Sequence, residues 1–166
     1  MEYKRFKIGN LFDVDSWVYG KNKQWVSRFS DPANGRIPVI SGITINNGIN
    51  YYTTDNYSSE EVFENELTIS TRGEYSGTIT YHEGKFLLAN NILVMKMPNL
   101  NYRQKIFIAS VIAKIGYGGY NNYPRKETLK EDYIDLPTSD GINPDYNYME
   151  SRISELEQER ISELEQ

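Results

Sequence analysis

Residues 66–97, ELTISTRGEYSGTITYHEGKFLLANNILVMKM, constrain the fold more than any other stretch of the chain. Leu67, Ile69 and Thr71 alternate with Thr68, Ser70 and Arg72, the period of two expected of a strand that buries one face. Glycines at 73 and 77 break the run. A second strand puts Ile79 and Tyr81 on one side and reaches His82, and Glu83-Gly84 is a two-residue hairpin signal. Phe86, Leu87, Leu88 and Ala89 form a continuous apolar run, suited to a strand covered on both faces. Asn90-Asn91 makes the next turn, and residues 92–97 close the set before Pro98. The pattern predicts a β-meander.

The flanking segments extend it. Residues 37–41 form a short apolar strand, joined to residues 49–52 by the hairpin signal Asn46-Asn47-Gly48. Residues 56–65 are an acidic turn or short helix. Residues 101–115 read as a helix with Asn101 as N-cap and Ile106, Ile108, Ala109, Ile112 and Ile115 facing inward. Residues 126–136 are a short helix or turn running into a strand that ends at Pro137. From residue 145 the chain lacks Gly and Pro and is helical in propensity. The predicted class is α+β: a mainly-β twisted sheet with one or two short helices, then a long C-terminal α-helix. The expected division is a globular domain over 1–144 and the helix over 145–166.

Several functions are excluded or reduced. No run of about 18 apolar residues spans a membrane and no apolar h-region opens the chain. The absence of cysteine removes disulfides and thiolate metal sites and fits a reducing cytoplasm. One histidine cannot build a three-histidine metal site, and His82 reads as a strand-end residue. No catalytic constellation and no resident cofactor are expected. Glu83-Gly84-Lys85, with acids upstream at Glu66 and Glu74, has the form of one nuclease metal site, so a metal-dependent nuclease using Glu83 and Lys85 is an alternative.

Charge distribution points elsewhere. The chain holds 18 basic and 23 acidic residues; residues 145–166 take 2 and 7 of them, so residues 1–144 carry 16 of each. A neutral domain can present a basic face, but alone it binds DNA weakly and salt-sensitively. Lys21, Lys23 and Arg28 alternate with Trp17, Tyr19, Trp25 and Phe29 in a polar loop, the mixture that neutralises phosphate and packs on sugars or bases. The same residues equally describe a loop pinned to the core by its tryptophans. Arg72 and Tyr75 lie in STRGEYSG, where glycines let backbone approach a ligand; an ordinary hairpin tip reads the same way. Arg103 and Lys105 sit in the first turn of a helix, where the dipole disfavours cations unless an anion docks there; two solvated cations are the alternative. Arg125 and Lys126 end the Gly/Tyr/Asn loop GYGGYNNYPR, which lacks the Gly-Lys-Ser/Thr of a nucleotide loop.

The C-terminal helix repeats RISELEQE and RISELEQ, an eight-residue step. Met149, Ile153, Leu156, Ile161 and Leu164 therefore form a drifting stripe, not a heptad seam. A lone helix of about 20 such residues is marginal in water and needs a partner. A protein-interaction module acting through this helix is a further alternative.

In order, FKIGNLFDV (6–14), IPVISGITINNGI (37–49), the 66–97 sheet, RQKIFIASVIAKI (103–115), KETLKEDYIDLP (126–137) and the charged helix resemble a target recognition domain from the specificity (S) subunit of a Type I restriction-modification system. The resemblance covers nearly the whole chain and rests on segment order. It implies recognition of double-stranded DNA without catalysis, directing an S-adenosylmethionine-dependent adenine methyltransferase (M) subunit and, through it, an ATP-driven restriction (R) subunit. Cofactors would belong to those partners. Such subunits pair long helices antiparallel to space two recognition domains. One domain with half of that pair suggests a half-subunit that forms a homodimer through its helix, or a fragment; the end inside a repeat favours a fragment.

Overall fold

The computed structural model describes residues 1–21 and 24–165. It has eight strands: β1 (Glu2–Lys7), β2 (Val18–Tyr19), β3 (Ile37–Ile40), β4 (Ile49–Thr53), β5 (Val62–Ser70), β6 (Ile79–Leu88), β7 (Ile92–Met95) and β8 (Tyr133–Thr138). Four α-helices accompany them among the described residues: α1 (Ile8–Leu11), α2 (Tyr102–Ala113), α3 (Lys126–Glu131) and α4 (Tyr146–Glu165). The α+β class and the long C-terminal helix are as the sequence predicts. Among the described residues, no helix is long and apolar enough to cross a membrane.

Six strands form one sheet in the order β2-β7-β5-β6-β3-β4, and β1 pairs with β8 as a separate antiparallel ribbon. Strand β5 is central, with β6 and β7 antiparallel on either side of it, so the 66–97 stretch is not a meander: β7 pairs with β5 and not with β6. This order bends the sheet. Strand β6 ends near the partner of Val62 and β7 begins opposite Ser70. On a flat sheet those points are roughly 25 Å apart, yet three residues, 89–91, connect them and span only about 14 Å. Coiling of the sheet closes that gap.

A β-bulge produces the coiling. Residues Glu83-Gly84 are not a hairpin; they lie inside the continuous ten-residue strand β6. The register with β5 shifts between Glu64 and Glu66, where Asn65 takes φ +54° and Gly84 φ +79°. The Gly84 N–H donates to Asn65 Oδ1 at 2.7 Å. Such an insertion bends the bulged strands and sharpens their twist. The expected hairpin at Asn46-Asn47-Gly48 does form, joining β3 to β4 with both asparagines at positive φ.

Alternation then sorts side chains between two cores. Leu67 and Ile69 of β5 with Leu93 and Met95 of β7 face α2, where Phe107, Ile108, Val111 and Ile112 meet them, and Ile8, Trp17, Leu129, Ile134, Leu136 and Met149 complete this main core. Inside the coil lie Ile40, Phe86, Leu88, Ile92 and Val94. Leu87 faces outward to Trp25, so the 86–89 run is covered on both faces, as its composition predicts.

Helix α2 begins at a capping box: Asn101 Oδ1 accepts the Gln104 N–H at 3.0 Å, and Gln104 Oε1 accepts the Asn101 N–H at 3.0 Å. Helix α4 begins with Asp145 Oδ1 accepting the Tyr148 N–H at 2.9 Å. Its first two turns belong to the domain, because Met149 is fully buried and Tyr146 and Ile153 pack on the main core. The expected boundary at residue 144 therefore falls just before side chains that the core itself uses. Leu156, Ile161 and Leu164 are 43, 48 and 71% exposed. Of the expected pairing stripe, only these last three face outward.

Candidate nucleic-acid interface

Two loops flagged by sequence lie against each other. Residues 71–78 join β5 to β6 in a closed turn: the Gly77 N–H donates to Ser70 O at 2.8 Å and the Ser70 N–H to Thr78 O at 3.0 Å. Arg72 and Tyr75 are exposed on it. Ser76 points inward, 4% exposed, and its hydroxyl donates to Gly119 O at 2.7 Å. Gly77, at φ +88°, lies so close to the neighbouring loop that a Cβ there would sit 2.4 Å from Tyr117 O. The partner loop, residues 116–125, presents Tyr120 at 66% exposure and ends at Arg125, an exposed residue before α3. Tyr117 ties that loop down through a hydrogen bond from its hydroxyl to Asp132 Oδ2. Burial and that carboxylate push the Tyr117 hydroxyl up to about 12.

Two further connections reach the same end of the sheet. The Thr71 N–H donates to Asn91 O at 2.9 Å, and Gly42 approaches Ser70 so closely that a Cβ would lie 2.6 Å from its Oγ. Arg72 and Arg125 have no ion pair among the described residues. Exposed aromatics and unpaired guanidinium groups on a scaffolded loop cluster can stack, neutralise phosphate and grip guanine.

The other expected contacts lie elsewhere. Lys21 borders a recess with Glu60 and Glu61 on its wall, and Lys23 is outside the described residues. Arg28 is held over Tyr51 on β4, 4.7 Å from the ring centre, and its Nε donates to Trp25 O at 3.1 Å. The tryptophans of that loop are pins: Trp17 and Trp25 are 1 and 2% exposed and donate from Nε1 to Lys96 O and Leu88 O at 2.9 and 3.1 Å. The Lys126 ammonium donates to Asp15 O at 3.1 Å, while its N–H donates to Tyr19 Oη at 2.8 Å.

The helix-end anion site is corrected by the structure. Lys105 is 6% exposed, and its Nζ lies 2.9 Å from Glu66 Oε1 and donates to Asn65 O at 2.7 Å. It is a core residue that clamps α2 to the bulge. Arg103 donates from Nε and Nη2 to Glu157 Oε2 of α4 at 3.1 and 3.0 Å, and the capping box occupies the Gln104 amide. Arg103→Ala should therefore leave DNA affinity unchanged and cost at most about 1 kcal/mol, as expected of a half-exposed ion pair. A urea titration beside a DNA titration checks both; a large loss of affinity at unchanged stability contradicts the structural role.

His82 is not at a strand end. It is 4% exposed inside the coil, its Nε2 3.0 Å from Thr68 Oγ1 and 2.7 Å from Thr80 Oγ1. Burial lowers its pKa to about 4. Glu83 and Lys85 flank the bulge glycine, and among the described residues no three His, Asp or Glu side chains gather to hold a metal. Sequence reasoning missed Ser76 and Tyr120; the only signal for the latter was the Gly/Tyr/Asn composition of its loop.

Comparison with known proteins bears on the family and the fold. A sequence model of the Type I restriction modification DNA specificity domain matches residues 1–166. The Type II restriction enzyme BgcI specificity subunit S.BcgI of Heyndrickxia coagulans is 28% identical over 166 residues, covering 95% of this chain and 44% of that protein. The S subunit of a Type I restriction-modification system from M. genitalium superposes with a TM-score of 0.60 at 14% identity, over 98% of this chain and 40% of its own. The HsdS subunit from Thermoanaerobacter tengcongensis gives 0.61 at 10% identity, over 96 and 38%. At these identities the structures show a shared fold, and the chain spans less than half the length of each relative.

Proposed function

Because the chain belongs to the Type I restriction modification DNA specificity domain family, we propose that it reads one sequence in double-stranded DNA as a specificity subunit or part of one. It has no catalytic role in this reading. It directs adenine methylation by a methyltransferase (M) subunit and, through that subunit, cleavage by a restriction (R) subunit. The observation that carries the reading is the packing of the 71–78 loop, with exposed Arg72 and Tyr75, against the loop that presents Tyr120 and ends at Arg125. The proposed contacts are these four residues. Lys21, Lys23, Arg28 and Lys126 are secondary candidates. Neutral overall charge over residues 1–144 makes the domain a weak binder alone, so the partner supplies further positive surface. The exposed Leu156, Ile161 and Leu164 are the surface for a second helix, whether from the same chain or a second copy.

The genome-wide pattern of adenine methylation, with the gene intact and deleted, tests this directly. Loss of methylation at one discrete motif is expected; an unchanged pattern in cells that express the protein defeats the proposal. With the motif in hand, Arg72→Ala is expected to lower affinity for it by about 1–3 kcal/mol and relax one base position if the guanidinium grips a base. If Arg72 holds phosphate, the loss is instead uniform across sequences and the salt slope falls by about one. Binding unaltered at every sequence removes Arg72 from the interface. The nuclease alternative has no metal cluster behind it among the described residues.

A further inference from the structure

We infer that Ser76 and Gly77 form a latch that holds the 71–78 loop and the 116–125 loop as one pre-assembled reading head, making both of them positioning residues for sequence discrimination. The inference rests on the DNA-recognition reading above and adds to it a residue pair that touches no DNA.

Three observations carry it. Ser76 sits on a loop whose neighbours Arg72 and Tyr75 are exposed, yet its own side chain is buried, with its hydroxyl spent on Gly119 O at 2.7 Å. Gly77 brings backbone against backbone, leaving no room for a Cβ beside Tyr117 O, at a φ that side chains avoid. Tyr117 in turn is fastened to Asp132 at the end of α3, which seats the second loop on the domain. A chain of fixed contacts thus runs from the Arg72 and Tyr75 tip to the Tyr120 tip. Loops that are already ordered pay less entropy on binding than loops that must order on the ligand. Base readout needs the fixed geometry, whereas counterion release at phosphates does not. Loss of the latch should therefore lower discrimination more than it lowers adhesion.

The test uses the full-length protein co-expressed with its partner subunits, and a random duplex library from which bound sequences are selected and sequenced. Wild-type complex is expected to recover one motif. Ser76→Ala removes only the hydroxyl and should reduce the ratio of motif to non-motif affinity tenfold or more, with non-motif affinity and its salt slope changed less than twofold. Gly77→Ala should do the same or worse. Hydrogen exchange of the 116–123 amides should accelerate in Ser76→Ala. If Gly77→Ala fails to fold, Ser76→Ala alone decides. A motif ratio within twofold of wild type in Ser76→Ala overturns the latch, whatever the exchange rates. A wild-type complex that recovers no motif overturns the DNA-recognition reading instead, so the two failures are told apart.

Discussion

Lys105→Met is expected to destabilise the fold by about 3–5 kcal/mol, because it strips the partner from a buried carboxylate. The Lys105 and Glu66 side chains are 7 and 9% exposed and 2.9 Å apart. Glu66 also accepts the Met97 N–H on both oxygens, at 3.2 and 3.1 Å, and Lys105 caps the bulge carbonyl of Asn65. Removing the ammonium leaves a buried charge with only the Met97 N–H as donor, which does not offset its desolvation. Adding Glu66→Leu removes that charge as well, and the double variant should regain most of the loss. A remainder of about 1–2 kcal/mol is expected, since the Met97 N–H then lacks its acceptor. Urea unfolding of both single variants and the double variant measures the coupling. A Lys105→Met protein within 1 kcal/mol of wild type would show that water reaches the pair.

The second large effect depends on pH. His82 is neutral in the folded coil with a pKa of about 4, against 6.5 when free. Below 6.5 the unfolded chain binds a proton that the folded chain refuses, so stability falls as pH drops from 6.5 towards 4. The displacement corresponds to roughly 3 kcal/mol once both forms are protonated. Carboxylates also titrate in this range, so the measurement is a comparison. His82→Gln keeps a group that can bond to Thr68 and Thr80 but removes the titration. The stability difference between wild type and His82→Gln should shift by about 2–3 kcal/mol against wild type between pH 7 and 4.5. Parallel pH profiles would mean that His82 titrates normally.

These two residues mark where sequence reading succeeds and fails. By sequence, Lys105 reads with Arg103 as a first-turn cation that either meets a docked anion or is solvated. The helical period holds the contrary signal, since residues 105, 108 and 112 share one stripe and Ile108 and Ile112 read as inward-facing. Only the burial of Glu66, 39 positions earlier in the chain, makes the stripe tolerable, and no local pattern announces it. Strand positions around Leu67 and Ile79 were legible from alternation, as were the Asn101 cap and the asparagine turn before Gly48. Strand neighbours were not. Glu83-Gly84 satisfies a hairpin and a bulge alike, because both need a residue tolerant of positive φ; pairing with Asn65 decides between them. Arg72 and Tyr75 were visible in a glycine-flanked tip. Their proximity to Tyr120 depends on a contact across 43 positions, which composition cannot encode.

Helix α4 is a cantilever clamped at one end. Met149 and the Arg103–Glu157 pair fix its root to the domain, and eight residues beyond Glu157 extend it by about 12 Å. Its compass bearing is thus inherited from the globular domain and not from whatever meets its tip. Each residue added or removed along the free arm moves the tip by about 1.5 Å but swings its azimuth by about 100°. Length changes close to whole turns preserve the facing of anything docked there relative to the 71–78 and 116–125 loops, and other changes rotate it. Phase, more than reach, is what a clamped arm holds constant.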